Sequence, residues 1–259
     1  MERQVAIVTG GSGGMAPGLI AALLEANFRV VITARRRSEL GDVVAKLDTV
    51  HCSEVVAIPA DVTDVHATSG LVVQTLERFG RVDVLVNAAA SSTPIGGAIE
   101  SIDVAALIRD LDVKVGGYLR MIQAVVPAMK EAGAGRIVNI GGLTGRSSDT
   151  LSGLRNAAVA HLTKVLSDQL APFGITVNAV HPGLVRTPHL AELFEKTAAS
   201  KGGTAADVER DFLGAVPVGR LLEPIEIGRT VAFLAGPNAA AITGESLTVD
   251  GGYSRGIYL

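Results

Sequence analysis

The sequence predicts an α/β protein built on a Rossmann-like, doubly wound parallel sheet of about seven strands, in a single domain spanning residues 1–259. Three observations predict this fold. Short β-branched runs recur along the chain, helix-length amphipathic segments separate them, and the runs are continuously apolar, as expected of strands buried on both faces. The chain of 259 residues, 48% of them hydrophobic, is long enough for one large core, and no linker-like stretch divides it.

The predicted strands follow one another at regular intervals. In chain order they are VAIVT at 5–9, VVIT at 30–33, VVAIP at 55–59, VDVLVN at 82–87, RIVNI at 136–140, ITVNAV at 175–180 and SLTV at 246–249. Right-handed crossovers between such strands place the ligand crevice at their carboxyl ends, where the winding direction reverses. The interval 188–217 does not fit this rhythm, because it is helix-like but carries Lys-Gly-Gly at its centre. We predict that it forms a mobile lid over the crevice.

Composition restricts the possible partners. The formal charge of −3 gives no reason to expect binding to nucleic acid, and the basic run 35–37 is too short to act as a polyanion-binding tail. We therefore expect a small-molecule substrate. His161 and His189 show no metal-ligand spacing, so no metal site is predicted.

Three further features predict a cytoplasmic protein with no membrane segment. Cys52 is the single cysteine and cannot form an internal disulfide. The N-terminus enters the first strand without a signal-peptide stretch, and no segment reaches the roughly 18 apolar residues that a membrane span needs.

The first strand is followed by a glycine-rich segment, TGGSGGMAPG at 9–18. Glycines at this point permit a tight turn and let backbone N–H groups approach a pyrophosphate, which the next helix N-terminus stabilises. The alternative is a flexible turn with no ligand. The candidate cofactor contacts are Gly10, Ser12, Gly13, Gly14 and Met15.

The second strand ends in VVITARRR, with no acidic residue at its tip. A carboxylate there would hold a ribose 2′-hydroxyl, whereas Arg35 and Arg36 can hold a 2′-phosphate. This favours NADP(H) over NAD(H). The alternative is a solvated basic helix start.

Two more segments follow predicted strands and add candidate cofactor contacts: Asp61, Val62, Asn87, Ala88 and Ala89. Asp61 either meets an adenine edge or, like Thr63, caps the next helix. Small residues after Asn87 let the chain run beside a cofactor, and the Asn87 amide can tie neighbouring strands together. Plain core alanines are the alternative there.

Together these motifs resemble the short-chain dehydrogenase/reductase family over nearly the whole chain. TGGSGGMA is similar to the family's Thr-Gly-x-x-x-Gly-x-Gly with Ala16 at the last glycine, LVNAAA to its Asn-Asn-Ala-Gly, and NAVHPGLVRTP to its Asn-x-x-x-Pro-Gly-x-x-x-Thr. The last motif implies further cofactor contacts at Pro182, Gly183 and Val185. The resemblance also implies a homo-oligomer, either a tetramer or a dimer.

The resemblance does not extend to the family's catalytic residues. In the family a Tyr acts as general acid or base, a Lys four residues later lowers its pKa, a Ser orients the substrate carbonyl and an Asn continues the proton relay. Here the matching positions hold Ser152, Asn156, Gly142 and Lys114, respectively.

Two of these replacements form a pattern, because a cation and an amide have exchanged places between Lys114 and Asn156. One hypothesis is a relocated charge that keeps a catalytic role, paired with Asp149 or a bound phosphate. The other is independent drift in a pocket that no longer reacts. The candidate catalytic residues are Lys114, Ser152 and Asn156; His181, near the expected nicotinamide position, is interpreted as structural.

The leading interpretation is a divergent family member that uses NADP(H) to reduce a carbonyl or oxidise an alcohol of a small molecule, with the proton supplied by substrate, water or Lys114. One alternative is a non-redox enzyme on the same fold, such as a lyase, dehydratase, isomerase or cyclase. The other is a non-catalytic dinucleotide-binding protein, since fold alone does not decide function.

Overall fold

The computed structural model describes residues 3–47, 52–91, 95–145 and 150–256. In these ranges seven strands form one parallel sheet in the order β3-β2-β1-β4-β5-β6-β7, which confirms the predicted Rossmann-like α/β fold. The strands are β1 (Val5–Thr9), β2 (Arg29–Thr33), β3 (Val55–Ala57), β4 (Val84–Asn87), β5 (Gly135–Ile140), β6 (Ile175–Pro182) and β7 (Ser246–Val249). Each corresponds to a predicted strand, although β3 and β4 are two residues shorter than predicted.

Nine α-helices lie in the same ranges. They are α1 (Ala16–Glu25), α2 (Arg37–Ala45), α3 (Val65–Phe79), α4 (Val104–Leu111), α5 (Gly117–Ala132), α6 (Gly153–Leu170), α7 (Pro188–Lys201), α8 (Ala205–Leu213) and α9 (Pro224–Ala235). None of them is long and apolar enough to cross a membrane.

Side chains from the sheet alternate between two buried cores. Ala6 and Val8 of β1 pack with residues of α1 and α9, whereas Val5 and Ile7 pack with residues of α3 and α5. This explains the continuous apolar runs in the sequence, because both faces of each central strand are covered.

The winding direction reverses between β1 and β4, which are neighbours in the sheet although they are not consecutive in sequence. Parallel strands on opposite sides of this point send their crossovers in opposite directions, so the loops after β1 and β4 leave a crevice between them. The crevice lies where the sequence predicts the ligand.

A π-helix covers Asp112–Gly116 and joins α4 to α5 in one continuous helix. Such segments frequently occur at functional sites, because the wider turn redirects one or two side chains. Here Lys114 points into the protein and is only 4% exposed, while Val104 and Ile108 of α4 are 63% and 60% exposed.

The interval 188–217 contains α7 and α8, which pack against each other around a small core of their own. The rings of Phe194 and Phe212 lie 5.4 Å apart between centroids, and Leu190 and Val208 are buried beside them. The two helices are joined through Gly202 and Gly203, whose positive φ angles of 77° and 119° suit a sharp turn. The predicted lid motion of this interval stays a prediction.

Candidate active site

A cavity of about 680 Å³ opens at the carboxyl ends of the central strands, a size usual for ligand sites. Of the residues singled out in the sequence, it is lined by Gly10, Ser12, Gly13, Gly14, Met15, Arg35, Arg36, Asp61, Val62, Ala88, Ala89 and Lys114. The glycine-rich loop, the end of β2 and the segments after β3 and β4 therefore converge on one space.

At the base of the crevice, the first residues of the loops after β1 and β4 are in direct contact. Gly10 has a φ of 68°, and a Cβ there would lie 2.7 Å from the carbonyl oxygen of Ala88, so only glycine fits. The Thr9 hydroxyl accepts hydrogen bonds from the backbone N–H groups of Ala88 and Ala89 at 3.0 and 3.1 Å. No side chain caps the N-terminus of α1 at Met15. The Ala16 N–H donates to the Gly13 carbonyl oxygen at 3.0 Å and Pro17 has no N–H, so a ligand in the cavity would meet the positive end of the helix dipole.

The end of β2 supplies two arginines with different surroundings. Arg36 forms an ion pair with Glu39, whose other oxygen accepts a hydrogen bond from Ser12 at 2.9 Å. The hydrogen bonds from Arg36 and Ser12 hold the pKa of Glu39 below its usual value. Arg35 makes no ion pair within the described ranges.

Glu39 was missed by the sequence reasoning, although it lines the cavity. That reasoning looked for an acidic residue at the tip of β2 and found none, but the first turn of α2 brings this carboxylate back beside the glycine-rich loop. A helix start shortly after a strand is the signal that could have found it.

Asp61 lines the cavity but does not cap α3, so the capping alternative was wrong. The cap is Asp64, whose carboxylate accepts from the backbone N–H groups of His66 and Ala67. Asp61 instead accepts from the backbone and hydroxyl of Thr63 at 2.9 and 2.8 Å.

Four predicted cofactor contacts do not line the cavity. The Asn87 amide ties β4 to β5, as expected, by donating to Asn139 Oδ1 at 3.0 Å. Val185 is buried in the core and pairs with Leu222 in an isolated bridge. The other two are Pro182 and Gly183, and a Cβ at Gly183 would lie 2.6 Å from Asp250 Cα.

The segment after β6 does line the cavity, but through residues that come after Val185 in the chain. Thr187 and His189, at the start of α7, line it instead. The turn between β6 and α7, stabilised by the bridge to Leu222, carries the side chains there.

Lys114 lines the same cavity as Arg35. Its Nζ donates to the carbonyl oxygen of Gly141 at 3.0 Å and to Asn156 Oδ1 at 2.8 Å. Both acceptors are uncharged, and within the described residues no carboxylate lies within 4.0 Å of Nζ to form an ion pair. Burial, with a smaller contribution from the Arg155 cation, lowers the pKa of Lys114 to about 7, although Asp110 opposes this shift.

Asn156 is held in one orientation by a second contact. Its Nδ2 donates to Thr144 Oγ1 at 2.6 Å, so its oxygen faces Lys114. A Cβ at Gly142 would lie 2.8 Å from that same Nδ2. The three positions 114, 142 and 156 are therefore in contact, and the identity of each limits the others.

Ser152 does not share this arrangement. It is 6% exposed, its hydroxyl accepts from the backbone N–H of Ile95 at 2.8 Å, and it does not line the cavity. The Ser152 hydroxyl therefore lies against the backbone at Ile95, and its catalytic role stays a prediction. Asp149, suggested as a partner of Lys114, lies outside the described residues.

A buried ion pair stands next to Lys114. Arg155 binds Asp110, one helical turn before Lys114, and also donates to the carbonyl oxygen of Ser91 at 3.1 Å. The side chains of Arg155 and Asp110 are 15% and 2% exposed. His181 is also buried, with Nδ1 3.2 Å from the backbone of Gly142, and does not line the cavity.

A glycine-rich loop, an uncapped helix N-terminus and a nearby arginine at the switch point of a parallel sheet define a dinucleotide-binding α/β protein. A family model described as enoyl-(acyl carrier protein) reductase matches residues 10–254. The chain belongs to the short-chain dehydrogenase/reductase family.

Individual relatives cover almost the full chain. It is 33% identical to the short-chain reductase protein NovJ of Streptomyces niveus, over 97% of this chain and 94% of the relative. A solved variant of actinorhodin polyketide ketoreductase with NADPH is 33% identical, covers 97% of each chain and gives a TM-score of 0.90. An NAD⁺-bound xylitol dehydrogenase is 26% identical, covers 96% and 98% of the two chains and gives a TM-score of 0.87.

Proposed function

We propose that this protein is an NADP(H)-dependent oxidoreductase that reduces a carbonyl, or oxidises the corresponding alcohol, of a small molecule, and that Lys114 carries the proton. The relatives named above support nicotinamide-dependent carbonyl reduction as the general class of reaction. The proposed proton route departs from the family motif, because our match to that motif puts Lys114, Gly142, Ser152 and Asn156 at its four catalytic positions.

The cavity fits such a cofactor on two grounds. The N-terminus of α1 presents the positive end of its dipole to a pyrophosphate, and the guanidinium of Arg35 offers a charge to a 2′-phosphate. When bound, the dinucleotide supplies or accepts a hydride. Asp61 and Val62 lie where the adenine half would reach, and Ala88 and Ala89 would flank the cofactor beside Gly10.

The observation that carries the proton assignment is the third N–H of the Lys114 ammonium. Two N–H groups are used by Gly141 and Asn156, and within the described residues no acceptor takes the third, although the side chain lines the cavity. A substrate oxygen at this point would accept the third hydrogen bond from the Lys114 ammonium. It would receive a proton from Lys114 as it becomes negative during reduction. Asn156 positions Lys114, and Ser152 is left without a chemical role.

The proposal is tested by titrating NADPH and NADH by fluorescence and then screening carbonyl compounds for loss of nicotinamide absorbance. Turnover with NADPH supports the proposal. Tight binding without turnover favours a non-catalytic dinucleotide-binding protein, and chemistry without consumption of nucleotide favours a lyase, dehydratase, isomerase or cyclase.

We expect cofactor preference to depend on Arg35, which makes no ion pair within the described residues. We expect NADPH to bind at least about tenfold more tightly than NADH, and Arg35→Asp to narrow or invert this difference, because the aspartate repels a 2′-phosphate. Fluorescence titration measures both affinities. Arg36→Asp is the matched comparison and should have a smaller effect, since Arg36 is already committed to Glu39. Equal affinities for the two cofactors in the unmodified protein would defeat the assignment.

The interval 188–217 is proposed to act as a lid. The start of α7 lines the cavity through His189 and the preceding Thr187. The core between α7 and α8 is separate from the two cores of the sheet. This arrangement allows α7 and α8 to move as a unit over a bound substrate.

Assembly into a homo-oligomer is the next expectation. Val104 and Ile108 on α4 and Leu154 on α6 are between 49% and 63% exposed, which leaves an apolar surface that a second copy would cover. Light scattering should give a dimer or tetramer mass at micromolar concentration, and Ile108→Glu should shift it toward the monomer. A monomer mass for the unmodified protein would rule this out.

A further inference from the structure

The proposed proton transfer does not assign a role to the Asp110–Arg155 ion pair, although Asp110 is among the most buried charged groups in the described chain. Asp110 is 3% exposed, and within the described residues neither its Oδ2 nor Arg155 Nε has a hydrogen-bond partner. Removing two such groups from water is expensive and repays little stability compared with apolar residues. A pair kept under these conditions calls for a role beyond packing.

Each member of the pair is close in the chain to Lys114 or to a residue that binds it. Asp110 precedes Lys114 by four residues on the same continuous helix, and Arg155 is the chain neighbour of Asn156, which binds Lys114 Nζ. Arg155 also bonds the carbonyl of Ser91, a residue of the cavity wall. The pair therefore lies between Lys114 and the part of the wall formed after β4.

We propose that the Asp110–Arg155 pair sets the charge state of Lys114 and holds its side chain in place, so that both are positioning residues that act through Lys114. This proposal rests on the proposed function of Lys114. It assigns opposite influences to the two members: the arginine disfavours the ammonium form and the carboxylate favours it.

The charges around Lys114 support this division. Arg155 lowers the pKa of Lys114 and Asp110 raises it, while burial contributes the largest lowering. Other ionisable groups on the packed elements are engaged elsewhere and have less influence on Lys114. Asp112 forms an ion pair with Arg120 at 2.6 Å, and the Tyr118 hydroxyl donates a hydrogen bond to the Ile140 carbonyl oxygen. His181, from β6, faces the backbone of Gly142.

Removing one member at a time tests the proposal, because the charge of the remaining member then acts on Lys114 without being balanced. Arg155→Met leaves Asp110 unbalanced, so the titration midpoint of Lys114 should rise by about one pH unit or more, and Asp110→Asn should lower it by a similar amount. The double variant should return close to the unmodified value. The matched control is Asp112→Asn, which breaks a neighbouring and more exposed pair on the same helix and should leave the midpoint unchanged.

The midpoint is read by NMR from the ¹³Cε resonance of Lys114, assigned by its absence from the spectrum of Lys114→Met. The pH dependence of turnover, measured in parallel, should move in the same direction. Asp110→Asn keeps the shape of the side chain and an oxygen for Arg155, so it remains decisive even if Arg155→Met does not fold.

The two measurements separate the possible failures. An NMR midpoint that does not move in Asp110→Asn, or that moves in the same direction in both single variants, overturns the inference. A midpoint that shifts as expected while the pH profile of turnover stays fixed leaves the inference standing and removes Lys114 from the reaction instead.

Discussion

Replacing Lys114 by methionine is expected to lower kcat/KM by roughly 10²–10⁴-fold, the usual contribution of a positioned general acid or base. The methionine keeps the volume of the side chain but cannot donate a proton to a substrate oxygen in the cavity. Steady-state kinetics with NADPH and the best carbonyl found by screening measure the loss. Reduction by the unmodified protein should itself weaken as the pH rises through about 7, where Lys114 loses its proton.

Two control variants show whether this loss is specific. Ser152→Ala should change turnover little, because Ser152 bonds the backbone at Ile95 rather than the cavity. Lys164→Met removes a surface lysine paired with Asp168 and should also have little effect. If Lys114→Met turns over as fast as the unmodified protein, the relocated-charge hypothesis is wrong.

The same substitution should raise stability in a defined pH range. Because burial lowers the pKa of Lys114 to about 7 from 10.5, the unfolded chain binds more protons than the folded one between these values. The stability of the unmodified protein should therefore rise with pH across this window, and the penalty is fully present below pH 7. Lys114→Met removes that penalty, so its gain in Tm should be largest below pH 7 and vanish above about 10.5.

Restoring the family pattern at four positions is the second large effect. The combination of Lys114→Asn, Gly142→Ser, Ser152→Tyr and Asn156→Lys should create ordinary carbonyl reductase activity if the rest of the pocket is intact. A Tyr at 152 fits only if the chain at Ile95 gives way, since Ser152 is buried against it. Kinetics with NADPH and the thermal stability of the variant measure the two consequences.

Gly142→Ser alone is the informative partial variant. Its new Cβ would lie 2.8 Å from Asn156 Nδ2, so the Asn156 side chain must shift, and we expect this to weaken its bond to Lys114. We expect a loss of stability of about 1–3 kcal/mol, the usual effect of overpacking, together with a fall in turnover.

If the fourfold variant gains activity while the parent and Lys114→Met are equally inert, the natural protein is better described as a non-catalytic dinucleotide-binding protein.

The fold could be predicted because its signals are local. The strand Val5–Thr9 is almost entirely apolar, and it is followed directly by the glycine-rich loop. These local patterns therefore suffice to predict the strands and the class of sheet, whereas the order of the strands comes from the structure. The exact strand ends depend on neighbouring strands, which is why β3 stops at Ala57.

The candidate site could be predicted only where it follows a strand directly. The glycine-rich loop and Arg35 do so, but Glu39 enters the cavity through the direction of α2, and Ser152 is withdrawn from it by a bond to a residue 57 positions earlier. Thr187 and His189 replace Val185 because a bridge to Leu222 fixes the turn before α7. Each of these outcomes is set by contacts between distant parts of the chain, which a local pattern does not contain.

The π-helix at Asp112–Gly116 has a consequence for how this site is encoded. A π-turn holds one more residue than an α-turn, so this turn accommodates an extra residue while the α-helices on either side keep their register. We expect that deleting one residue of this segment other than Lys114 would close the turn to α geometry and leave α4 and α5 on their present faces. The direction in which Lys114 points would change, so the site depends on the number of residues in this turn as well as on their identity.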